Sequence, residues 1–215
     1  MELISIELAK VVSLFTVSRP EGHHSMGKIS AALSERYQFA SVPRSIEQLI
    51  GEKIEFGHGS FNDSRIDLLE IFHDGIVVSA KSPTEKVEAF ILDLETWSKS
   101  EFGLERVETQ NINLAYESHL LIKSQKPLLN ALKPLKSVQS LIHKLLFSAT
   151  KIDAEFEPFG LSFSVDQNKI ASMKPARFSV ERKLGPSFES NLYFSIAPLK
   201  TADHLKVLEL LESSF

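Results

Sequence analysis

The sequence predicts an α+β fold with a curved, mainly antiparallel sheet and helices packed on one face. Residues 65–80 and 177–197 both alternate apolar and polar side chains around a turn, as β-hairpins do. Each hairpin is followed by an amphipathic helix, which begins at Thr84 or at Thr201. We therefore expect two related β-α-β-β-α halves, 1–108 and 109–215, that share one core. The alternative is that this common local arrangement simply occurs twice.

Composition narrows the class of protein. The 215 residues are 43% hydrophobic and 24% charged, which is ordinary for a globular protein. A formal net charge of −4 argues against binding duplex nucleic acid, because phosphate neutralisation needs a basic excess. The chain contains no cysteine, so thiol nucleophiles, zinc–thiolate sites and iron–sulfur clusters are excluded. No window reaches about 18 uninterrupted apolar residues. We expect a cytoplasmic protein that does not enter a membrane.

In the first half, residues 3–17 fit either a helical face or a strand. Proline and glycine at 19–22 predict a break, and the apolar spacing over 26–37 predicts a helix. Ser45 and Gln48 have the spacing of a capping box, so a short helix is expected to start there.

The centre of the chain begins with a glycine-rich and polar stretch at 57–63, which predicts a flexible loop. The Asp74-Gly75 turn of the first hairpin is a strong hairpin signal, because both residues tolerate positive φ. The helix that starts at Thr84 is expected to end at Gly103.

The second half is expected to open with a strand over 111–123. A helix follows from Pro127, and Pro134 should kink or divide it. The apolar residues of 135–147 are expected to face a core. Further strands are predicted near 161–165, 178–183 and 192–196, before a helix from Thr201 to about Glu212.

Sequence motifs for catalysis and for cofactors are missing. The chain has no Walker loop, no complete G-x-G-x-x-G, no H-E-x-x-H and no G-x-S-x-G. His23 and His24 are adjacent, so they would point to opposite sides of an extended segment and bind one metal poorly. We expect no resident cofactor and no structural zinc.

A short acidic pattern supports an alternative. Asp166 ends a predicted strand, and Glu181 and Lys183 lie two apart on a later one, so their side chains share a face. This arrangement resembles the metal-dependent nucleases of the PD-(D/E)xK type over about 20 residues. The resemblance implies that Asp166 and Glu181 hold Mg²⁺ while Lys183 helps to activate water. The same residues also fit an amphipathic strand whose charged side chains face solvent.

Two polar groups are candidate ligand sites. Arg182, Tyr193 and Ser195 lie on strands that should form the second hairpin, and on one face they could bind a small anionic or planar ligand. The predicted loop at 57–63 carries His58, Ser60 and Asn62 among exposed backbone amides. Either group also fits an ordinary solvent-facing surface.

These observations favour a non-enzymatic binding or assembly module that uses a polar face of the sheet. Its expected partner is a small anionic ligand or a protein. The alternative is a Mg²⁺-dependent phosphodiesterase or nuclease. The C-terminal helix carries more leucine than one buried stripe needs, which also suggests a homodimer.

Overall fold

The computed structural model describes residues 1–18, 25–107, 113–170 and 173–214. These residues form an α+β protein with an eight-stranded sheet, a small two-stranded sheet and five α-helices. The strands are β1 (Glu2–Leu14), β2 (Thr16–Ser18), β3 (Lys53–Phe61), β4 (Ser64–Phe72), β5 (Gly75–Ala80), β6 (Glu105–Val107), β7 (Asn113–Lys123), β8 (Gly160–Phe163), β9 (Phe178–Arg182) and β10 (Leu192–Ala197). The α-helices are α1 (Met26–Tyr37), α2 (Ile46–Ile50), α3 (Thr84–Phe102), α4 (Lys136–Thr150) and α5 (Thr201–Ser213), and a 3₁₀ helix (Leu128–Leu135) precedes α4.

The large sheet has the strand order β3-β4-β5-β1-β7-β10-β9-β8, and every neighbouring pair is antiparallel. The predicted α+β class with an antiparallel sheet is therefore confirmed. Both hairpins form, and each leads into its helix as expected. Each half contains one strand more than the expected β-α-β-β-α pattern, because β3 and β8 extend the hairpins outward; β8 is the strand predicted near 161–165. The main elements of each half thus run β-α-β-β-β-α.

Strand register relates the two halves through the central strands. Ala9 of β1 pairs with Ala80 of β5 and with Ser118 of β7, and Ser118 pairs in turn with Ala197 of β10. Ala80 and Ala197 are separated by the same 117 residues as Thr84 and Thr201. Each residue of β5, and each residue of α3 from Thr84 to Thr96, therefore has a counterpart 117 positions later in β10 or α5. That the halves arose by duplication stays a prediction.

The two long helices of the hairpin units meet at their first residues. The Thr84 amide donates to Thr201 Oγ1 at 3.0 Å, and the Thr201 amide donates to Thr84 Oγ1 at 2.8 Å. Both threonines are buried. Each hydroxyl thus caps the helix of the opposite half, and the halves are joined by hydrogen bonds as well as by the β1–β7 pairing.

The sheet and its helices enclose two adjoining cores. The first core combines buried side chains of β1, β3, β4 and β5 with those of α1 and α3. Tyr37 of α1 lies edge-on to Phe90 of α3, with 4.9 Å between ring centroids. The second core contains Leu120, Val180 and Leu208, and it is completed by leucines of the 3₁₀ helix.

The predicted flexible loop at 57–63 is wrong, because β3 runs to Phe61 and pairs with β4 along its length. Because Gly59 has no side chain, β3 can pair with β4 while a ring of the first core packs directly against the backbone of β3. A Cβ placed on Gly59 would lie 2.5 Å from Cε1 of Phe39, which is buried and packs against Phe56 and Tyr37. The glycine is thus required by close packing under a strand.

We expect Gly59→Ala to lower the free energy of unfolding by about 1–3 kcal/mol, because the added methyl overpacks a buried ring. Urea denaturation measures the change. Gly27→Ala in α1 is the matched control, since its nearest atom would be Ser25 Oγ at 3.9 Å. That control should be neutral or stabilising by up to about 1 kcal/mol. A Gly59→Ala protein that unfolds at the wild-type urea concentration would contradict the packing argument.

Some predictions fall outside the described residues. These are the break at 19–22, the adjacent His23 and His24, and the first two residues of the predicted strand at 111–123. No helix of the described ranges is both long enough and apolar enough to cross a lipid bilayer.

Candidate assembly surface

The sheet face with Arg182, Tyr193 and Ser195 is covered, so the prediction of a polar, solvent-facing surface there is wrong. Tyr193 pairs with Arg182 and Ser195 with Val180, and all four side chains point toward the helices. Tyr193 and Ser195 have no exposed surface, and Arg182 is 8% exposed. Sequence periodicity placed the three residues on one face correctly but could not show which face α5 covers.

Arg182 is held by contacts within the chain. Its Nη2 bonds Glu157 Oε2 at 2.9 Å, while Nε and Nη1 donate to the carbonyls of Pro158 and Phe188. The guanidinium also lies 4.3 Å from the centroid of the Phe188 ring. Arg182 therefore joins the segments on either side of β9, and these donors are not available to a ligand.

Ser195 belongs to a buried network with His204 and Ser118. Its Oγ lies 2.7 Å from the Ser179 carbonyl and 2.8 Å from His204 Nε2, and Ser118 Oγ lies 2.8 Å from Nδ1. A carbonyl only accepts, so Ser195 donates to Ser179 and accepts from Nε2–H, while Nδ1 accepts from Ser118. Burial, with a smaller effect of His119, lowers the pKa of His204 to about 4. The network is uncharged and inaccessible to solvent and ligands, so its role is structural.

The other predicted ligand residues do lie at the surface. His58, Ser60 and Asn62 are exposed at the edge strand β3 and at the turn that follows it. His58 Nδ1 is 2.8 Å from Arg65 Nη2, and Arg65 Nε is 3.5 Å from Asp67. The structure thus brings His58 into a small surface network, whereas the Ser60 hydroxyl lies 3.5 Å from Gln38 Oε1.

A groove beside this network is the closest match to a site for a small anion. It is lined by Arg65, Lys81 and Lys86, and also by Asp63 and Asp67. The two carboxylates offset most of the cationic charge. The groove therefore offers little net attraction for an anionic ligand.

The residues of the nuclease alternative are paired locally. Asp166 caps the short 3₁₀ turn after it and lies 3.6 Å from Lys169, and Glu181 lies 3.6 Å from Arg177. Lys183 is exposed just beyond β9. Within the described ranges, no hydrogen bond or ion pair joins these three residues, and no cluster of three or more metal-ligating side chains is present.

Helix α4 presents an apolar stripe to solvent, so the prediction that 135–147 faces a core is wrong. Val138, Leu141, Ile142 and Leu145 follow the i, i+3, i+4, i+7 spacing of one helical face, called here the α4 face. All four are more than two-fifths exposed, and Leu145 is 61% exposed. No residue of α4 is buried. The stripe is thus an exposed apolar surface that no element of the described chain buries.

The α4 helix is also poorly stabilised by itself. Its N-terminus has no side-chain cap, and its first turn carries no acidic residue to offset the helix dipole. Isolated helices of about 15 residues are marginal in water, and most helical stability in proteins comes from packing of the apolar face. A partner that covers the α4 face would therefore stabilise the helix as well as bury its leucines.

A second exposed apolar site lies on α5 and β8. Val207 and Leu210 are the counterparts of Phe90 and Asp93, the α3 residues that contact α1. Phe90 is fully buried, whereas its counterpart Val207 is 36% exposed and the neighbouring Leu210 is 67% exposed. Phe163 of β8 is 60% exposed. We call Phe163, Val207 and Leu210 the α5 docking site.

The position of Phe163 follows from two ring contacts. Its ring stacks on Phe178 at 6.0 Å between centroids, and Phe178 contacts His204 of α5 at 6.0 Å. Phe163 is therefore on the same side of the sheet as α5. In the first half, the corresponding place beside α3 and over β3 is occupied by α1. In the second half, α4 makes its main contacts with the 3₁₀ helix before it instead.

The first half holds a separate apolar recess of about 430 Å³. Its lining includes Phe15, Ile29 and Ile76, and the Arg106–Glu95 ion pair of 2.7 Å lies at its rim. Its size falls within the range of small-molecule sites. The recess reaches the ends of the described ranges next to 19–24 and 108–112.

Searches of protein-family models and of curated proteins found no match to this chain. Function is therefore inferred from the chain's own contacts.

Proposed function

We propose that this protein is a non-enzymatic assembly module that binds a protein partner through the α4 face. The observation that carries the proposal is a complete apolar stripe on a 15-residue helix with no buried residue. At these exposures the four side chains present on the order of 400 Å² of apolar surface, within the range that marks interaction sites.

The charge of α4 adds to this case. The helix contains two lysines and no carboxylate, so a cationic rim surrounds the apolar stripe. An apolar centre with a charged rim is the usual anatomy of a protein interface. The expected partner therefore offers an apolar groove with acidic residues at its edges.

The polar residues that could serve chemistry support the same proposal. His204 and its two serines are buried, and Arg182 is hydrogen-bonded within the chain. These groups stabilise the second core, whereas the exposed feature of that half is apolar. A binding role agrees with this distribution better than a catalytic one.

Photocrosslinking in cells tests the proposal. With p-benzoylphenylalanine in place of Leu145, we expect a discrete crosslinked adduct, because the partner covers this position. The same group in place of Ile50 is the matched control, since Ile50 is apolar and 75% exposed on α2 in the other half. Denaturing electrophoresis and mass spectrometry read the adducts. No discrete adduct from Leu145, or equal adducts from both positions, would refute the proposal.

A further inference from the structure

We propose that the partner of the α4 face is a second copy of this chain, whose α5 docking site receives α4 reciprocally in a twofold dimer. This inference rests on the proposed function and names its partner. The two surfaces belong to one chain, and both are apolar and exposed. A reciprocal contact satisfies both at once in a closed dimer.

The first half shows what such a docking site accepts. There, α1 lies beside α3, where Tyr37 contacts Phe90 and Arg36 donates from Nη2 to both carboxylate oxygens of Asp93. Helix α4 follows the first strand of its half, as α1 does. It does not lie beside α5, however, so it does not fill the position that corresponds to that of α1. The counterpart of Asp93 is Leu210. The α5 docking site therefore favours contact with an apolar helical face, whereas Asp93 in the first half favours contact with an arginine.

Charge favours the same pairing. Helix α4 carries Lys136 and Lys144 with no carboxylate. Of the three carboxylates of α5, Asp203 pairs with Lys206 and Glu212 pairs with the N-terminal amine, so Glu209 is the carboxylate that can meet these lysines. Glu209 of α5 is exposed one position before Leu210. An α4–α5 contact therefore brings opposite charges together, whereas an α4–α4 contact would bring lysines together.

The exposed apolar area is also sufficient for a protein interface. At the exposures observed, the seven side chains of the α4 face and the α5 docking site present on the order of 700 Å² per copy, against about 800 Å² per partner in a standard interface. Contacts with flanking residues would add to this. Neither surface alone reaches that size, which favours the reciprocal arrangement over a single helix contact.

Single-cysteine variants test the geometry, because the natural chain has no cysteine. We expect purified Leu145→Cys mixed with Leu210→Cys to form a crosslinked dimer with a short bismaleimide, while either variant alone crosslinks far less. Leu92→Cys is the matched control for Leu210→Cys, since Leu92 is 65% exposed at the first half's long helix. It should not crosslink to Leu145→Cys.

Sedimentation equilibrium supplies the second measurement. We expect wild-type dimer at micromolar concentration, and on the order of 100-fold weaker association for Leu210→Glu, which changes only an exposed residue and should fold normally. Ile50→Glu should associate like wild type.

A wild-type monomer, efficient crosslinking of Leu145→Cys to itself, or unchanged association of Leu210→Glu would each overturn the inference. A Leu145 photoadduct to a different protein, with a monomeric purified chain, would overturn this inference but leave the proposed function standing.

Discussion

Replacing both Thr84 and Thr201 by valine is expected to lower the free energy of unfolding by about 2–5 kcal/mol. Pro83 and Lys200 occupy the N-cap positions of α3 and α5, and neither supplies a side-chain cap. The first amide of each helix therefore depends on the threonine hydroxyl of the other helix. Valine has nearly the same shape as threonine, so the double substitution removes the acceptors while the packing volume is kept.

Urea denaturation of the two single variants and the double variant measures this effect. Each single substitution leaves one buried amide without its acceptor, which costs about 1–3 kcal/mol. Thr96→Val is the matched control, because Thr96 is an exposed residue of α3 whose hydroxyl bonds only the Leu92 carbonyl of its own helix. It should change stability by less than about 0.5 kcal/mol. A double variant as stable as that control would show that the crossed caps do not hold the halves together.

Local signals in the sequence were sufficient for much of the fold. The first hairpin forms where the Asp74-Gly75 signal predicted it, although its two turn residues are His73 and Asp74 and Gly75 begins β5. Ser45 and Gln48 form the predicted capping box. Gly103 ends α3 with positive φ, as the sequence indicated. Each of these features is decided by a few neighbouring residues, so no knowledge of distant contacts was needed.

Distant contacts decided the features that the sequence did not reveal. Glycine and polar residues at 57–63 are typical of a loop, but pairing with β4 makes residues 57–61 part of a strand and leaves only Asn62 and Asp63 as the turn. The stripe in α4 was visible from its spacing, because periodicity shows which residues share a face. Periodicity does not show what covers that face, so the stripe was assigned to a core that does not exist in the described chain.

The two halves share strand order and register but differ at two places that matter for function. In the first half, α1 lies against α3, whereas among the described residues of the second half no helix takes the corresponding position beside α5. In addition, Ser118, Ser195 and His204 have the apolar counterparts Ala9, Val78 and Val87, all fully buried. The architecture therefore does not require the polar network, and an apolar core of the same shape can replace it.

We expect the wild-type protein to lose roughly 2–3 kcal/mol of stability between pH 6.5 and pH 4.5 through His204 alone. The folded state lowers the pKa of His204 from 6.5 to about 4 through burial and the influence of His119. Between these values the unfolded chain binds the proton and the folded chain does not, so stability falls as the pH falls. Above about pH 7.5 the residue is neutral in both states, and its contribution no longer changes.

The triple variant Ser118→Ala, Ser195→Val and His204→Val isolates this effect, because it restores the apolar residues of the counterpart positions. It should be close to wild type in stability at pH 7.5, since both partners of each hydrogen bond involving the histidine are removed together. His204→Val alone should be less stable by about 1–3 kcal/mol, because Ser118 then keeps a buried hydroxyl without its acceptor. Urea denaturation at pH 7.5, 6.5, 5.5 and 4.5 measures the difference between the triple variant and wild type. If that difference stays constant over this range, His204 is not a neutral, buried member of the core.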